Sequence, residues 1–209
     1  GENRPKDLND FNVGNAQLTD IICELLTELE LKIPILFSSS TQASQDNDYG
    51  ISKKLAETSI ENYSKLSGNS AAIYRLPGVF GKWCKPNYNS VVATFCYNIS
   101  HNLPIQVNDH AATIRLVYVD DVVKHFMSIM DGALAEVGYN DISPVYEMTV
   151  GNLAAKIQLI KTSRQSLIIE PVGTGFDRAL HSTYLSYLKP EQFSYCLLYT
   201  SDAADDSLR

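Results

Sequence analysis

Helical and extended periodicities alternate along this chain, and that alternation points to a layered α/β fold built on a parallel sheet. Residues 15–30 space Leu18, Ile21, Ile22, Leu25, Leu26 and Leu29 by three and four, which marks an amphipathic helix. A short apolar run over 33–37, entered through Pro34, reads as a buried strand and ends in Ser38, Ser39 and Ser40. A polar loop with Asp46, Asn47 and Asp48 leads into a second helix, from Tyr49 to about Leu66, closed by Ser67, Gly68 and Asn69. Residues 71–76 read as the next strand, stopped by Pro77 and Gly78. Beyond it the pattern predicts a helix over 88–99, a strand over 113–119 and a helix capped by Asp120 and Asp121 that runs through Met130. A strand over 145–150, a helix over 151–161 and a Tyr- and Leu-rich helix over 176–188 complete the series.

Composition removes several classes of function. Seventeen basic against 24 acidic residues give a net charge of -7, and with no basic cluster a nucleic-acid surface is not expected. No apolar run approaches the ~18 residues that span a bilayer, so no membrane partner is expected. The polar start, Gly1 to Asp7, has no signal-peptide character. Cys23, Cys84, Cys96 and Cys196 form no CxxC pair, which favours reduced thiols in a cytoplasmic protein. His101, His110, His125 and His181 form no ligand pair, so no metal is expected.

Both ends read as those of a fragment. A doubly wound dinucleotide-binding domain opens with a strand, a glycine-rich turn and a helix, and no G-x-G-x-x-G or G-x-x-G-x-x-G occurs here. Residues 196–209 resemble a translated sequencing adapter, a non-native tail to be set aside from fold reasoning.

The candidate chemistry centres on Tyr49 and Lys53, four apart on a helix and therefore on one face. A phenol titrates near ~10; a neighbouring ammonium and the positive end of the helix are expected to lower that value. Such a tyrosine can hand a proton to a carbonyl oxygen as the carbon is reduced, and Ser40 at the strand end can hold the same oxygen. The spacing alone arises readily in a chain with 12 tyrosines, and a solvated helix face would show it too. What sharpens it is the buried strand ending in three serines just upstream. Cys84 beside Lys85 reads as a small buried hydrophobe rather than an acid, Asp120 and Asp121 as a helix cap, and Tyr184, Tyr187 and Leu188 as core.

Four stretches in order, Ile35-Leu-Phe-Ser-Ser-Ser, Asp48-Tyr-Gly-Ile-Ser-Lys-Lys, Tyr74-Arg-Leu-Pro-Gly-Val-Phe-Gly and Arg115-Leu-Val-Tyr-Val-Asp-Asp, resemble the extended short-chain dehydrogenase/reductases that act on nucleotide sugars. Lys82-Trp-Cys-Lys-Pro-Asn-Tyr-Asn-Ser and Arg178-Ala-Leu-His-Ser-Thr-Tyr-Leu-Ser-Tyr-Leu extend the likeness to the capsular-polysaccharide and O-antigen reductases, over residues 1 to about 195. The resemblance implies an NAD(P)-binding Rossmann-like doubly wound parallel sheet, N-terminally truncated, with a small substrate-binding subdomain at about 82–112 and 138–195. It also implies NADPH-dependent reduction of a UDP-linked 4-keto-6-deoxy amino sugar on the way to UDP-N-acetyl-L-fucosamine, in a homodimer. A zinc-bearing cupin domain would follow Tyr195 and is expected to be absent.

By the same resemblance Ser40, Tyr49 and Lys53 fall on the catalytic triad. Ser38, Ser39, Tyr49, Lys53, Leu76, Pro77, Gly78 and Val79 fall beside the cofactor. Many relatives carry Asn where this chain has Gly78. Asn89 and Ser90 fall on a helix start that receives the nucleotide, and Arg115 on a diphosphate clamp, against the plainer reading of a strand-edge surface charge. Arg178 reads equally as a second phosphate contact or as a surface ion pair.

Two other readings stay open. An NAD-retaining C4-epimerase or dehydratase needs the same triad, although Thr41 and Gln42 after Ser40 replace the titratable pair that dehydration uses. A truncated, inactive piece is the other: without a glycine turn the isolated chain is expected neither to hold NADPH tightly nor to fold well.

Overall fold

Pro77 divides the strands of this protein between two sheets. The computed structural model describes residues 2–132, 137–166 and 172–193. Helical backbone begins at α1 (Asn9–Phe11), passes through a π-helical turn at Asn12–Gln17 and continues as α2 (Leu18–Glu28). Strand β1 (Ile35–Ser40), a 3₁₀ turn (Thr41–Ser44), α3 (Asp48–Ser67) and β2 (Ala71–Leu76) form a βαβ unit. Then follow β3 (Gly78–Phe80), α4 (Val91–Ser100), β4 (Thr113–Tyr118), α5 (Val119–Met130), β5 (Gly138–Asn140), β6 (Tyr146–Thr149), α6 (Val150–Ser166), α7 (Gly175–Leu185) and α8 (Pro190–Phe193).

The first sheet has the order β1-β2-β5 and is parallel throughout, with Ile35 opposite Ala71 and Ala72 opposite Gly138. This is the doubly wound arrangement expected. The second sheet departs from it. Its order is β3-β4-β6; β3 and β4 are parallel, whereas β6 runs antiparallel to β4, with Arg115 opposite Glu147. Pro77 lacks the N–H that would continue the β2 ladder, so the chain leaves one sheet there and enters the other.

Local chemistry sets the helix ends. Asn47 caps α3 by accepting from the Gly50 N–H at 2.8 Å, and Gly68 ends it in the left-handed region at φ 70°. Ser90 caps α4 by accepting from the Ala93 N–H at 3.3 Å. For α5 the cap differs from expectation. The capping position is Tyr118, with no side-chain bond, and Asp120 and Asp121 stand inside the first turn, where the macrodipole still favours them. Asp120 also pairs with Lys82 at 2.9 Å.

Three apolar clusters hold the layers together. Cys23, Ile60, Tyr63 and Ile73 join α2 and α3 to the first sheet. Tyr74, Leu76, Val117 and Val122 fill the space beneath α5. Phe80, Val92, Phe95, Leu153, Ile157 and Leu180 unite the second sheet with α4, α6 and α7, and Tyr184, Tyr187 and Leu188 are buried with them. Each such aliphatic or aromatic side chain contributes roughly 1.5–3 kcal/mol when fully buried. The supposed adapter tail over 196–209 lies outside the described residues.

Candidate active site

The end of β1 and the start of α3 meet at one cavity of about 930 Å³. Ser38, Ser39 and Ser40 all line the cavity, but strand alternation sends the Ser39 hydroxyl inward, where it donates to Glu57 Oε1 at 2.6 Å. Ser40 closes the strand by accepting the Gln42 N–H at 3.1 Å, which starts the 3₁₀ turn. Tyr49 sits in the first turn of α3 and lines the cavity with Ser40. Gly50 makes this approach possible. A Cβ there would lie 2.2 Å from the Gln42 carbonyl oxygen and 2.7 Å from that of Gln45, both backbone. Gly50→Ala is therefore expected to destabilise the protein by about 1–3 kcal/mol, against the helix-propensity gain of nearly 1 kcal/mol that Ala brings elsewhere. Thermal unfolding decides it; a variant more stable than the parent would mean the contact is not tight.

Tyr49 and Lys53 share a face of α3, but their electrostatics differ from the expectation. Burial pushes the Tyr49 phenol above its ordinary value, and the hydrogen bond from Ser40 offsets only part of that. Lys53 is pushed the other way by burial, against the pull of the Glu57 charge. Its Nζ donates to the Ser38 carbonyl at 3.2 Å and lies 5.0 Å from the Phe37 ring centroid. The ammonium is thus aimed at the strand end, and at neutral pH the phenol keeps its proton.

Behind the strand end stands Glu57, one turn beyond Lys53 and fully buried. Its carboxylate accepts from Arg75 Nε at 2.8 Å and Nη2 at 2.6 Å, from Ser39 and from the Tyr139 hydroxyl at 3.0 Å. Burial alone would raise its pKa; the Arg75, Ser39 and Tyr139 bonds outweigh it and hold the carboxyl below its usual range. Sequence reasoning missed this residue, since a charge on a helix normally reads as a solvated face.

The remaining wall comes from 76–79, the 81–90 loop and β4. Leu76, Pro77, Gly78 and Val79 line the cavity. A side chain at position 78 would press on Leu116 Cδ2 at 3.1 Å and the Arg115 carbonyl at 3.2 Å, so strand packing accounts for the glycine. The 81–90 loop turns through left-handed backbone at Trp83 (φ 61°) and Asn87 (φ 53°), costly for such residues, and is anchored from α7 and α4. Its anchors are Trp83 N–H to Ser186 Oγ at 3.3 Å, Tyr187 hydroxyl to the Cys84 carbonyl at 2.5 Å and Asn87 N–H to Thr94 Oγ1 at 3.0 Å. It delivers Cys84, Tyr88, Asn89 and Ser90 to the cavity. Burial raises the Cys84 thiol, which a hydrogen bond with Ser90 only partly offsets, so it is a poor acid at neutral pH.

Arg115 reaches the cavity from β4 and, among the described residues, pairs with Glu147 at 4.0 Å, with both side chains mostly exposed. Arg178 is exposed on α7 and does not join this lining. Among the lining residues that sequence reasoning passed over are Asn3 and Arg4; nothing in their polar segment signals it. Among the described residues no His, Cys, Asp and Glu group could hold a metal ion.

A family profile described as the NAD dependent epimerase/dehydratase family matches residues 3–141. The chain belongs to this family. Within it, a UDP-2-acetamido-2,6-beta-L-arabino-hexul-4-ose reductase of Pseudomonas aeruginosa is 46% identical over 202 residues, which is 97% of this chain and 54% of the relative. The crystal structure of the capsular polysaccharide assembling protein CapF of Staphylococcus aureus superposes with a TM-score of 0.79 at 43% identity, covering 88% of this chain and 52% of that one. A UDP-glucuronic acid 4-epimerase of Bacillus cereus shares the fold at a TM-score of 0.74 and 14% identity, over 89% of this chain and 71% of the other. The chain spans about half the length of the reductase and of CapF.

Proposed function

We propose that this chain supplies the acid–base and sugar-binding side of an NADPH-dependent reductase acting on a UDP-linked 4-keto-6-deoxy amino sugar. Such a reaction belongs on the path to UDP-N-acetyl-L-fucosamine for capsule or O-antigen. One observation carries the reading: a phenol that stays protonated, Tyr49, shares with Ser40 a cavity lined by Lys53 and Arg115 and by no carboxylate. A bound reduced nicotinamide would supply the hydride. Lys53, Ser38 and the 76–79 segment would hold it, and their polar donors and acceptors beside an open apolar wall suit a ribose and a flat ring. Tyr49 then gives its proton to the ketone oxygen, Ser40 holds that oxygen, and Lys53 keeps the neighbourhood positive as charge develops. Asn89 and Ser90 at the start of α4, with Arg115, receive the diphosphate.

The name of the P. aeruginosa relative, a 2-acetamido hexul-4-ose reductase, supports the substrate class. Thr41 and Gln42 beside Ser40 speak against dehydration. We assign residues 82–112 and most of 138–195 to the substrate-binding part; β5 (Gly138–Asn140), at the start of the second range, belongs to the first sheet. A cytoplasmic setting agrees with the free thiols of Cys23, Cys84 and Cys96, and no described helix is long and apolar enough to cross a membrane. Leu18, Ile21, Ile22, Leu25 and Leu29 on or beside α2, with Ile51 and Leu55 on α3, form an exposed apolar surface that suits a homodimer.

The test is stoichiometry in the full-length gene product. Reduction consumes one NADPH for each UDP-keto-sugar converted, whereas conversion of a UDP-hexose with retained NAD and no net cofactor change supports the C4-epimerase instead. Arg115→Ala is expected to raise KM for the UDP-sugar about tenfold or more and to leave KM for NADPH nearly unchanged, since a hydrogen bond to a charged group is worth about 1.5–3 kcal/mol. Releasing Glu147 costs little, because an exposed pair of this kind is worth about 0–1 kcal/mol. An unaltered KM for the sugar would dismiss the clamp.

A further inference from the structure

Three cations line the cavity, Arg4, Lys53 and Arg115, without a carboxylate among the lining residues, in a chain whose net charge is -7. Two of them have roles in the reading above. Arg4 has none, yet its position is built from buried parts. The Glu2 N–H donates to Asn15 Oδ1 at 2.8 Å, and Asn15 Nδ2 donates back to the Glu2 carbonyl at 2.8 Å and to Ser52 Oγ at 3.0 Å. Asn15 is 3% exposed and Ser52 2%, and Ser52 lies on α3 between Tyr49 and Lys53. The π-helical turn at Asn12–Gln17 carries Asn15. Glu2 Oε1 then accepts from the N–H groups of Asn3 at 3.0 Å and Arg4 at 3.1 Å. The segment bearing Arg4 is in this way fastened to the helix that bears the proton donor.

At its far end the Arg4 guanidinium carbon lies 6.0 Å from the Tyr88 ring centroid, and Lys85 Nζ lies 5.1 Å from the same ring. No ion pair engages Arg4 among the described residues. Tyr88 immediately precedes Asn89 and Ser90, at the start of α4. A cation steadied on an aromatic face beside the start of α4, with no ion pair to its guanidinium among the described residues, matches an anion whose charge is spread over several oxygens.

We propose that Arg4 is a second cationic contact for the substrate diphosphate, acting beside Arg115. This rests on the nucleotide-sugar reading. The cofactor carries a pyrophosphate too, and the experiment separates the two sources. In calorimetric titrations of the full-length gene product, Arg4→Gln weakens UDP binding roughly tenfold. Arg4→Lys recovers part of the loss, and NADPH and uridine titrations change by less than about twofold. The loss also shrinks as salt is raised, because the missing contact is ionic. Unchanged UDP affinity in Arg4→Gln, a loss confined to NADPH, or an equal loss for uridine would each overturn the assignment. If Arg115→Ala weakens UDP and Arg4→Gln does not, the nucleotide-sugar reading stands without Arg4; if the unaltered protein fails to bind UDP, both fall.

Discussion

Tyr49→Phe is expected to lower kcat for keto-sugar reduction by about 10²–10⁴-fold, the usual loss when a positioned acid is removed. In barrier terms that is about 2.7–5.5 kcal/mol. The substitution deletes one oxygen and leaves the ring, which packs 5.8 Å from the Phe11 ring, so the fold and the binding of UDP are expected to survive. The loss therefore falls on kcat, with KM for the sugar nearly constant. Its physical basis is the raised phenol. Burial keeps the proton on Tyr49 at neutral pH, and a donor is what reduction of a ketone needs. Steady-state rates of the two proteins measure it directly, and equal turnover would refute the proton-donor role.

Glu57→Ala has the largest expected effect on stability, a loss of about 3 kcal/mol. The substitution strands the buried Ser39 hydroxyl and takes the carboxylate from the Arg75 guanidinium, while the exposed Tyr139 hydroxyl keeps Lys54. Breaking a buried pair from one side typically costs about 3–5 kcal/mol; the lower end applies because the Arg75 side chain is one-third exposed and regains some solvent. In a chain of this size the melting temperature should fall by roughly 6–12 °C. The loss is pH-dependent. The carboxyl is held below its unfolded value, so its stabilisation is complete above about pH 4.3 and disappears as pH drops through the folded value. Denaturation of Glu57→Gln and the parent should accordingly converge under acid. A constant gap between them down to pH 2 would mean that the charge of Glu57 plays no part.

What short stretches place was the most legible. A strand end and a four-residue spacing bring Ser40, Tyr49 and Lys53 to one cavity, and α3 and β2 end where Gly68 and Pro77 require. What depends on distant partners was not. Periodicity marks 113–119 as a strand without naming its neighbours, so the move of β4 into a second, mixed sheet was hidden. The π-helical turn keeps the apolar spacing of a helix while rotating Asn15 inward, and Glu57 and Arg75 meet across 18 residues. Spacing also placed Lys53 on the same face as Tyr49, but the direction of its ammonium, toward the Ser38 carbonyl, is set by tertiary packing. Burial, which spacing does not show, raises the phenol where a fall was expected. Arg4 reaches the cavity by the same kind of long-range fastening, whereas Arg178 belongs to a matching stretch and still stands apart from the cavity.

The most direct test of Tyr49 as the proton donor is the pH dependence of keto-sugar reduction at saturating substrates in the full-length gene product. With the phenol titrating above its ordinary value of about 10, the rate should hold level through neutral pH and fall only in alkali, as Tyr49 loses its proton. A rate that climbs with pH toward an alkaline plateau would contradict it, because the group in command would then be a base.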